Sequence, residues 1–268
     1  MSVTTILITG ASSGIGAALA RHYAGPGRHL VLWGQNSIRL EETAAQCRAT
    51  GAAVETSSFD LTALDDFATR LDDVDNRHPL DLAIFNAGLG GSIEMTEIAQ
   101  DRHSAARMAT VNFTAPVIGA NMLACRMAQR KKGRIVLVGS VAESFPLPMA
   151  PVYVGSKAGL ALFSEALALR VARYGVGISL VVPGFVDTPM SQGLKEPRPF
   201  LISADTAASI IARRLEKGAT RIVLPWQFAV IQMLTGILPR ALLRQVFRLA
   251  WRLSVAVHAR ASLRPPTP

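Results

Sequence analysis

Tyr153 and Lys157 stand four residues apart near the start of a segment of helical period, so their side chains share one face. A lysine cation beside a phenol stabilises phenolate and draws its pKa down from about 10 towards the working range of a general acid/base. Such a phenol can hand a proton to a carbonyl oxygen. Ser140, at the end of an apolar Val/Ile-rich run, can hydrogen-bond the same oxygen as negative charge develops on it. A second chemistry is written into Thr9, Gly10, Ala11, Ser12, Ser13, Gly14, Ile15 and Gly16, which join a β-branched run to a helical one. Three glycines there let backbone amides approach a pyrophosphate at the positive end of a helix. Their spacing is G-x-x-x-G-x-G, which differs from the usual G-x-G-x-x-G dinucleotide fingerprint. A phenol, a lysine and a serine can move protons but cannot supply a hydride, so redox chemistry at this site needs a bound cofactor.

These residues fall where an alternating β/α chain would put them. Short runs rich in Val and Ile predict strands at 3–9, 29–33, 53–57, 80–86, 134–140, 177–182 and 221–224. Segments of helical period predict helices at 15–24, 37–50, 63–74, 151–174 and 204–216, with a long broken helix over 96–132. The expected fold is α/β: one doubly wound domain with a seven-stranded parallel sheet over residues 1–224, followed by a helical extension over 225–268. In such sheets ligands bind beyond the carboxyl ends of the strands. Asn86-Ala87-Gly88 follows the fourth predicted strand, Ser140 ends the fifth and Pro183-Gly184 follows the sixth.

Taken in order, Thr9 to Gly16, Asn86-Ala87-Gly88, Asn112, Ser140, Tyr153-x-x-x-Lys157 and Pro183-Gly184 resemble the short, single-domain branch of the short-chain dehydrogenase/reductase family. The likeness covers about residues 3–224 and implies a Rossmann-type, NAD(P)-dependent oxidoreductase acting on a carbonyl or secondary alcohol. It implies that Ser140, Tyr153, Lys157 and Asn112 are catalytic, with Lys157 also on the nicotinamide ribose and Asn112 supporting a water relay. It further implies nucleotide contacts from Thr9, Gly10, Ser12, Ser13, Gly14, Ile15 and Gly16. Asn86, Ala87 and Gly88 are expected on the adenosine side, Thr188 at the nicotinamide carboxamide, and Pro183, Gly184 and Val186 also at the cofactor. Asp60-Leu61 resembles the pair that touches adenine, although an Asp ahead of Leu-Thr reads equally well as a helix cap.

The likeness also has departures. An NAD enzyme of this kind would place a carboxylate at the end of the second strand, where Trp33-Gly34-Gln35-Asn36 has none. NADP(H) is therefore expected over NAD(H), with Ser12, Asn36 and Arg39 as the 2′-phosphate partners, because the customary basic residue near Ser13 or Gln35 is absent. Glu143 stands where glycine is frequent and is expected to face either substrate or solvent.

At 268 residues, half of them apolar and only 18% charged, the chain has ample material for a core and is excluded from intrinsic disorder. Its two cysteines make no disulfide framework, and no C-x-x-C or His-rich cluster predicts a metal site. The N-terminus lacks the basic n-region and cleavage site of a signal peptide. A cytoplasmic protein is expected. The net charge of +9 is piled at one end: no acidic residue follows Glu216, whereas eight basic residues do. Arg240, Arg244, Arg248 and Arg252 recur every fourth residue and would form one stripe on a helix, opposite Leu242, Val246, Phe247, Leu249 and Trp251. The extension is expected to cover its apolar face against the body, a partner subunit of a dimer or tetramer, or an anionic membrane surface, the last placing the protein at the inner face of a membrane. Nucleic acid is disfavoured, since no stacking platform accompanies the arginines. Apolar residues at Phe145, Leu147, Met149, Met190 and Phe200 suggest an apolar small-molecule substrate. The alternative function is a catalytically idle nucleotide-binding or membrane-associated scaffold of the same fold.

Overall fold

The computed structural model describes residues 4–94, 97–194, 197–239, 241–243 and 245–249. Its elements are β1 (Thr5–Thr9), α1 (Gly14–Tyr23), β2 (His29–Gly34), α2 (Ser37–Ala49), β3 (Ala53–Ser58), α3 (Leu64–Arg77) and β4 (Leu82–Phe85). There follow α4 (Arg102–Ala109), α5 (Ala115–Gln129), β5 (Gly133–Val138), α6 (Pro151–Val171), β6 (Val176–Pro183), β7 (Val186–Asp187) and α7 (Pro189–Gln192). The last are β8 (Ile202–Ser203), α8 (Ala204–Glu216), β9 (Arg221–Leu224) and α9 (Trp226–Ile237). Seven strands form one sheet in the order β3-β2-β1-β4-β5-β6-β9, and every pairing in it is parallel. The chain winds outward in one direction through β2 and β3, then returns to lay β4 on the other side of β1. That reversal leaves a crevice above the carboxyl ends of β1 and β4.

Alternation along the strands divides the core into two layers. Ile6 and Ile8 of β1 join Leu30 and Leu32 of β2 under α1, α2 and α8, where Leu19, Leu40 and Ile211 are buried. Leu7, Val31, Ala83 and Leu137 face the other way, against Phe67 and Leu71 of α3, Leu123 of α5 and Leu160 of α6. The helical segments Arg102–Gln129 and Pro151–Tyr174 are long and apolar enough to cross a membrane, and here both are packed against this sheet.

The structure adjusts several boundaries. β4 starts at Leu82 rather than Leu80, because the Leu80 amide is taken by the Asp75 carboxylate at 2.9 Å. β5 stops at Val138, and Ser140 instead caps a short 3₁₀ turn over Val141–Ser144 by accepting from the Ala142 amide at 3.2 Å. The segment expected as one broken helix over 96–132 resolves into α4, a π turn at Thr110–Thr114, and α5. The two-stranded pairing of β7 with β8 and the short α7 have no counterpart in the sequence reading, because two- and four-residue elements carry no periodicity.

Beyond β9, α9 is held to the body by Phe228, whose ring lies 6.0 Å from Phe185 and 5.7 Å from Phe200, and by Gln232, which donates to Ser144 Oγ at 3.0 Å. Residues 241–243 and 245–249 are also helical, and the Phe247 ring lies 5.9 Å from that of Phe145. Arg248 is exposed, whereas Arg240, Arg244 and Arg252 of the expected stripe, and Trp251 opposite it, lie outside the described residues.

One buried charge fastens α3 to α5. Asp75 accepts two bonds of 2.7 Å from Arg130 and one of 3.4 Å from Arg126, and these cations together with the Leu80 amide hold its carboxyl below the usual range despite burial. Asp75→Ala takes the carboxylate from Arg130 and the acceptor from the Leu80 amide, while Arg126 keeps Asp72 and Asn76, so urea titration should report a loss of about 3 kcal/mol of stability. A change below ~1 kcal/mol would show that the cluster contributes little.

Candidate active site

The glycine loop closes the crevice from below. Thr9 Oγ1 accepts from the Asn86 and Ala87 amides at 3.1 and 3.0 Å, and Asn86 Nδ2 donates back to the Thr9 and Gly10 carbonyls at 3.0 and 3.3 Å. Thr9 and Asn86 thus pin the end of β1 to the end of β4. Gly10 and Gly14 adopt φ of 68° and 55°, and a Cβ at Gly16 would lie 2.3 Å from the Gly10 carbonyl oxygen. At these three positions the loop fits only without side chains. α1 then starts with no side-chain cap at Ser13, whereas Asn36 caps α2 and Asp101 caps α4. Its first-turn amides are left for an anion.

Above this loop opens a cavity of about 480 Å³, a size suited to a nucleotide-like ligand. Of the residues expected at a cofactor, Thr9, Gly10, Ser12, Ser13, Gly14, Ile15, Asn36, Arg39, Asp60, Leu61, Asn86, Ala87, Gly88, Tyr153, Lys157, Pro183 and Thr188 line it. Gly16, Gly184 and Val186 do not. Gly16 packs under the loop and Gly184 lies against the Phe228 ring. Val186 corrects an expectation: it starts β7 with its side chain turned into the core, and what it offers is its carbonyl, which accepts from Ser191 Oγ at 2.6 Å. Thr188 caps α7 and lies against Gly14, joining the two sides of the cleft.

Trp33 and Gln35, at the end of the second strand, line it too, and the structure adds residues that the sequence did not single out: Phe59, Leu89, Arg107, Val111, Val138, Gly139 and Pro189. Arg107 matters most among them. It reaches from α4 to Asp60, donating to Oδ2 at 2.7 Å, while Oδ1 accepts from the Thr62 amide at 3.0 Å. These bonds hold the Asp60 carboxyl below its ordinary range. Asp60 is the one carboxylate among the described lining residues, and its charge is balanced.

At the other end of the cavity the acid/base residues meet. Lys157 is buried on α6, donates to the Val138 carbonyl at 2.8 Å and sits 6.0 Å from the centroid of the Tyr153 ring. Burial drives its pKa down to about 8, against the nearby Glu143 charge. Burial also pushes the Tyr153 phenol upward, opposed by a hydrogen bond from Ser140. The expected lowering of Tyr153 by Lys157 is therefore not found in the protein alone. The ammonium is tied to a backbone carbonyl, and removal of both groups from water outweighs their attraction.

Asn112 is wholly buried in the π turn. Its Oδ1 accepts from the Leu89 amide at 2.7 Å, and its Nδ2 donates to the Leu89 carbonyl at 2.9 Å and to Ser156 Oγ at 3.3 Å. It thereby holds the Gly88–Leu89 segment after β4 beside Lys157. A Cβ at Gly88 would lie 3.3 Å from Asn112 Oδ1 and 3.4 Å from Lys157 Nζ, so glycine keeps the two apart by the width of a backbone.

Glu143 faces neither substrate nor solvent. It lies beneath the Ser140 turn with its side chain 4% exposed and is paired with Arg221, the first residue of β9. Its amide donates to the Ser140 carbonyl at 3.0 Å. Its second carboxylate oxygen has no hydrogen-bond partner among the described residues, and burial pushes the carboxyl above its ordinary range.

A family model described as short chain dehydrogenase matches residues 4–199. An uncharacterized oxidoreductase of Myxococcus xanthus is 30% identical over 243 residues, covering 90% of this chain and 95% of that one. A very-long-chain 3-oxoacyl-CoA reductase of Neurospora crassa is 33% identical over 192 residues, which span 70% of this chain and 58% of the relative. Among solved structures, a short-chain dehydrogenase from Sphingobium yanoikuyae in complex with NADPH aligns over 99% of this chain and 98% of its own. The TM-score is 0.76 at 26% identity.

The loop geometry gives a direct test. Gly16→Ala must displace the Gly10 carbonyl, so nucleotide binding should weaken roughly tenfold or more, about 1.4 kcal/mol. The buried Trp33, at the cavity wall, supplies the fluorescence signal. Unchanged affinity would mean that the loop does not hold the nucleotide.

Proposed function

We infer, since the chain belongs to the short-chain dehydrogenase family, that this oxidoreductase exchanges a hydride between NADP(H) and an apolar ketone or secondary alcohol. The observation that carries this reading is the meeting of Tyr153 and Lys157, with Ser140 hydrogen-bonded to Tyr153 just behind the wall, at one end of a cavity whose other end is the uncapped glycine loop. The nicotinamide, when bound, supplies the hydride. The protein's own groups handle the proton and the developing charge. Tyr153 Oη donates its proton to the carbonyl oxygen, and Ser140 Oγ, which accepts from the Ala142 amide, turns its hydrogen from the phenol to that oxygen as charge develops there. Lys157 retains its charge near neutral pH, since its pKa lies at about 8, and offers that charge to the ribose hydroxyls and the phenol.

Two features support NADP(H) over NAD(H). The lining carboxylate Asp60 is neutralised by Arg107, and Arg39 stands at the same end beside Asn36. Asn36 Oδ1 is spent on capping α2 through the Arg39 amide at 2.9 Å, which leaves its amide nitrogen to meet a phosphate. The NADPH complex of the Sphingobium neighbour supports the same choice. Met190 and Phe200, both half exposed, and the neighbouring Leu194 and Leu201 support an apolar substrate. The very-long-chain acyl relative points in the same direction.

Tyr153→Phe should lower kcat by at least about a thousandfold while NADPH affinity stays within about twofold, because the phenol acts on the proton and not on the phosphate end. Wild-type protein should bind NADPH at least about tenfold more tightly than NADH. A variant that retains substantial turnover would remove Tyr153 from its role, and failure to bind either nucleotide would favour the idle scaffold.

The extension supports a membrane-facing placement for the same enzyme. Trp226, Val230, Met233 and Ile237 form one stripe on α9, with Trp226 69% and Ile237 77% exposed, in a part of the chain that carries eight basic and no acidic residues after Glu216. Vesicles containing about a third anionic lipid should sediment the full chain and lose it when Trp226, Met233 and Ile237 are changed to Gln. Equal recovery of the two proteins, with a change in size-exclusion volume, would assign the stripe to a second subunit.

A further inference from the structure

We propose that His29, Glu55 and His78 form a zinc site at the amino end of the sheet, remote from the cavity. The three residues are far apart in sequence and are brought together by strand register. β2 and β3 run parallel with Val31 opposite Glu55, and His29 lies two residues before Val31, so His29 and Glu55 project from the same face. α3 packs on that face through Phe67 and Leu71, and His78 is the first residue beyond its last turn. The chain therefore delivers two imidazoles and a carboxylate to one point from three rigid elements.

Their geometry is that of ligands without a metal between them. His29 Nε2 lies 3.1 Å and His78 Nε2 lies 3.2 Å from the same oxygen, Glu55 Oε1. The two rings meet edge-on with centroids 4.3 Å apart, and the three ligand atoms lie within 4.8 Å of one another. On a tetrahedral zinc with bonds of about 2.0–2.1 Å, neighbouring ligand atoms are about 3.3 Å apart. Shifts of a few tenths of an ångström at the carboxylate and an opening of the imidazole pair would admit the ion. Neither histidine is locked away: the side chains of His29, Glu55 and His78 are 20%, 34% and 41% exposed, which leaves the fourth position to water.

The donor set selects the ion class. Two imidazole nitrogens and one carboxylate oxygen suit zinc and its borderline neighbours, whereas magnesium and calcium prefer oxygen alone. Arg77 grips the carboxylate from the far side, at 2.9 Å to Oε2 and 3.3 Å to Oε1. With Oε1 on the metal, the shorter bond to Oε2 remains as the outer contact that orients a ligating carboxylate. The site would tie the edge strand β3 to β2 and to the end of α3, a structural staple at the end of the sheet opposite the nucleotide.

The test uses the whole protein, stripped with EDTA and dialysed against ZnCl₂. Wild type should take up one zinc per chain and show a higher Tm by circular dichroism with zinc than without. The His29→Ala, His78→Ala double variant should lose both the bound ion and the Tm rise while keeping wild-type NADPH binding. Glu55→Gln should weaken uptake with both imidazoles still in place. Zinc uptake by the double variant equal to that of wild type would assign the ion to the remaining histidines or cysteines and overturn the site. Absence of uptake by the wild type would overturn it too, leaving a hydrogen-bonded His–Glu–His cluster.

Discussion

The structure turns on the joint between the ends of β1 and β4. These neighbouring strands are where the chain reverses its winding, and the connections leave them in opposite directions. Nothing in the sheet ladder itself holds the two ends in register above the last shared hydrogen bonds. The Thr9 hydroxyl and the Asn86 amide do so with four bonds between them. That fixed joint lets the glycine loop stand upright with its backbone exposed, and it sets the distance from the loop to the acid/base residues on α6. Residues commonly thought of as ligand contacts here serve first as carpentry.

The opposite end of the cleft depends on withheld water. Lys157 and Tyr153 are both shifted towards their neutral forms by burial, one downward and the other upward. A lone protein of this kind stores an unfavourable charge environment that additional hydrogen-bonding partners can relieve. The π turn at Thr110–Thr114 contributes by turning Asn112 inward, where it fastens the Leu89 backbone and keeps that wall of the cleft from collapsing onto the lysine.

Much of this was legible in the sequence because the informative residues are local: a glycine loop, a Tyr-x-x-x-Lys pair and a serine each sit at the end of an apolar run whose alternation announces a strand. What was not legible is what different elements bring to one another. Arg107 is an ordinary helix arginine until α4 is laid beside Asp60. Glu143 looks like a surface or substrate-facing carboxylate until β9 supplies Arg221. Val186 lies two residues from Thr188, yet β7 ends between them, so one enters the core and the other caps a helix. His29 of β2 and His78 just beyond α3 fail every spacing rule for metal ligands, since their proximity comes from strand register and helix packing and not from chain distance.

The pairing of Glu143 with Arg221 also has a temporal meaning. Every residue that lines the cavity precedes position 191, so a growing chain has already made the whole cleft well before it is finished. The counter-charge for the carboxylate under the Ser140 turn arrives only with the first residue of the last strand, and the ring that covers Gly184 arrives at position 228. Until then the turn that holds the serine rests on an uncompensated charge. Completion of the active site is thus tied to completion of the sheet, and an unfinished chain carries the parts of an enzyme without yet being one.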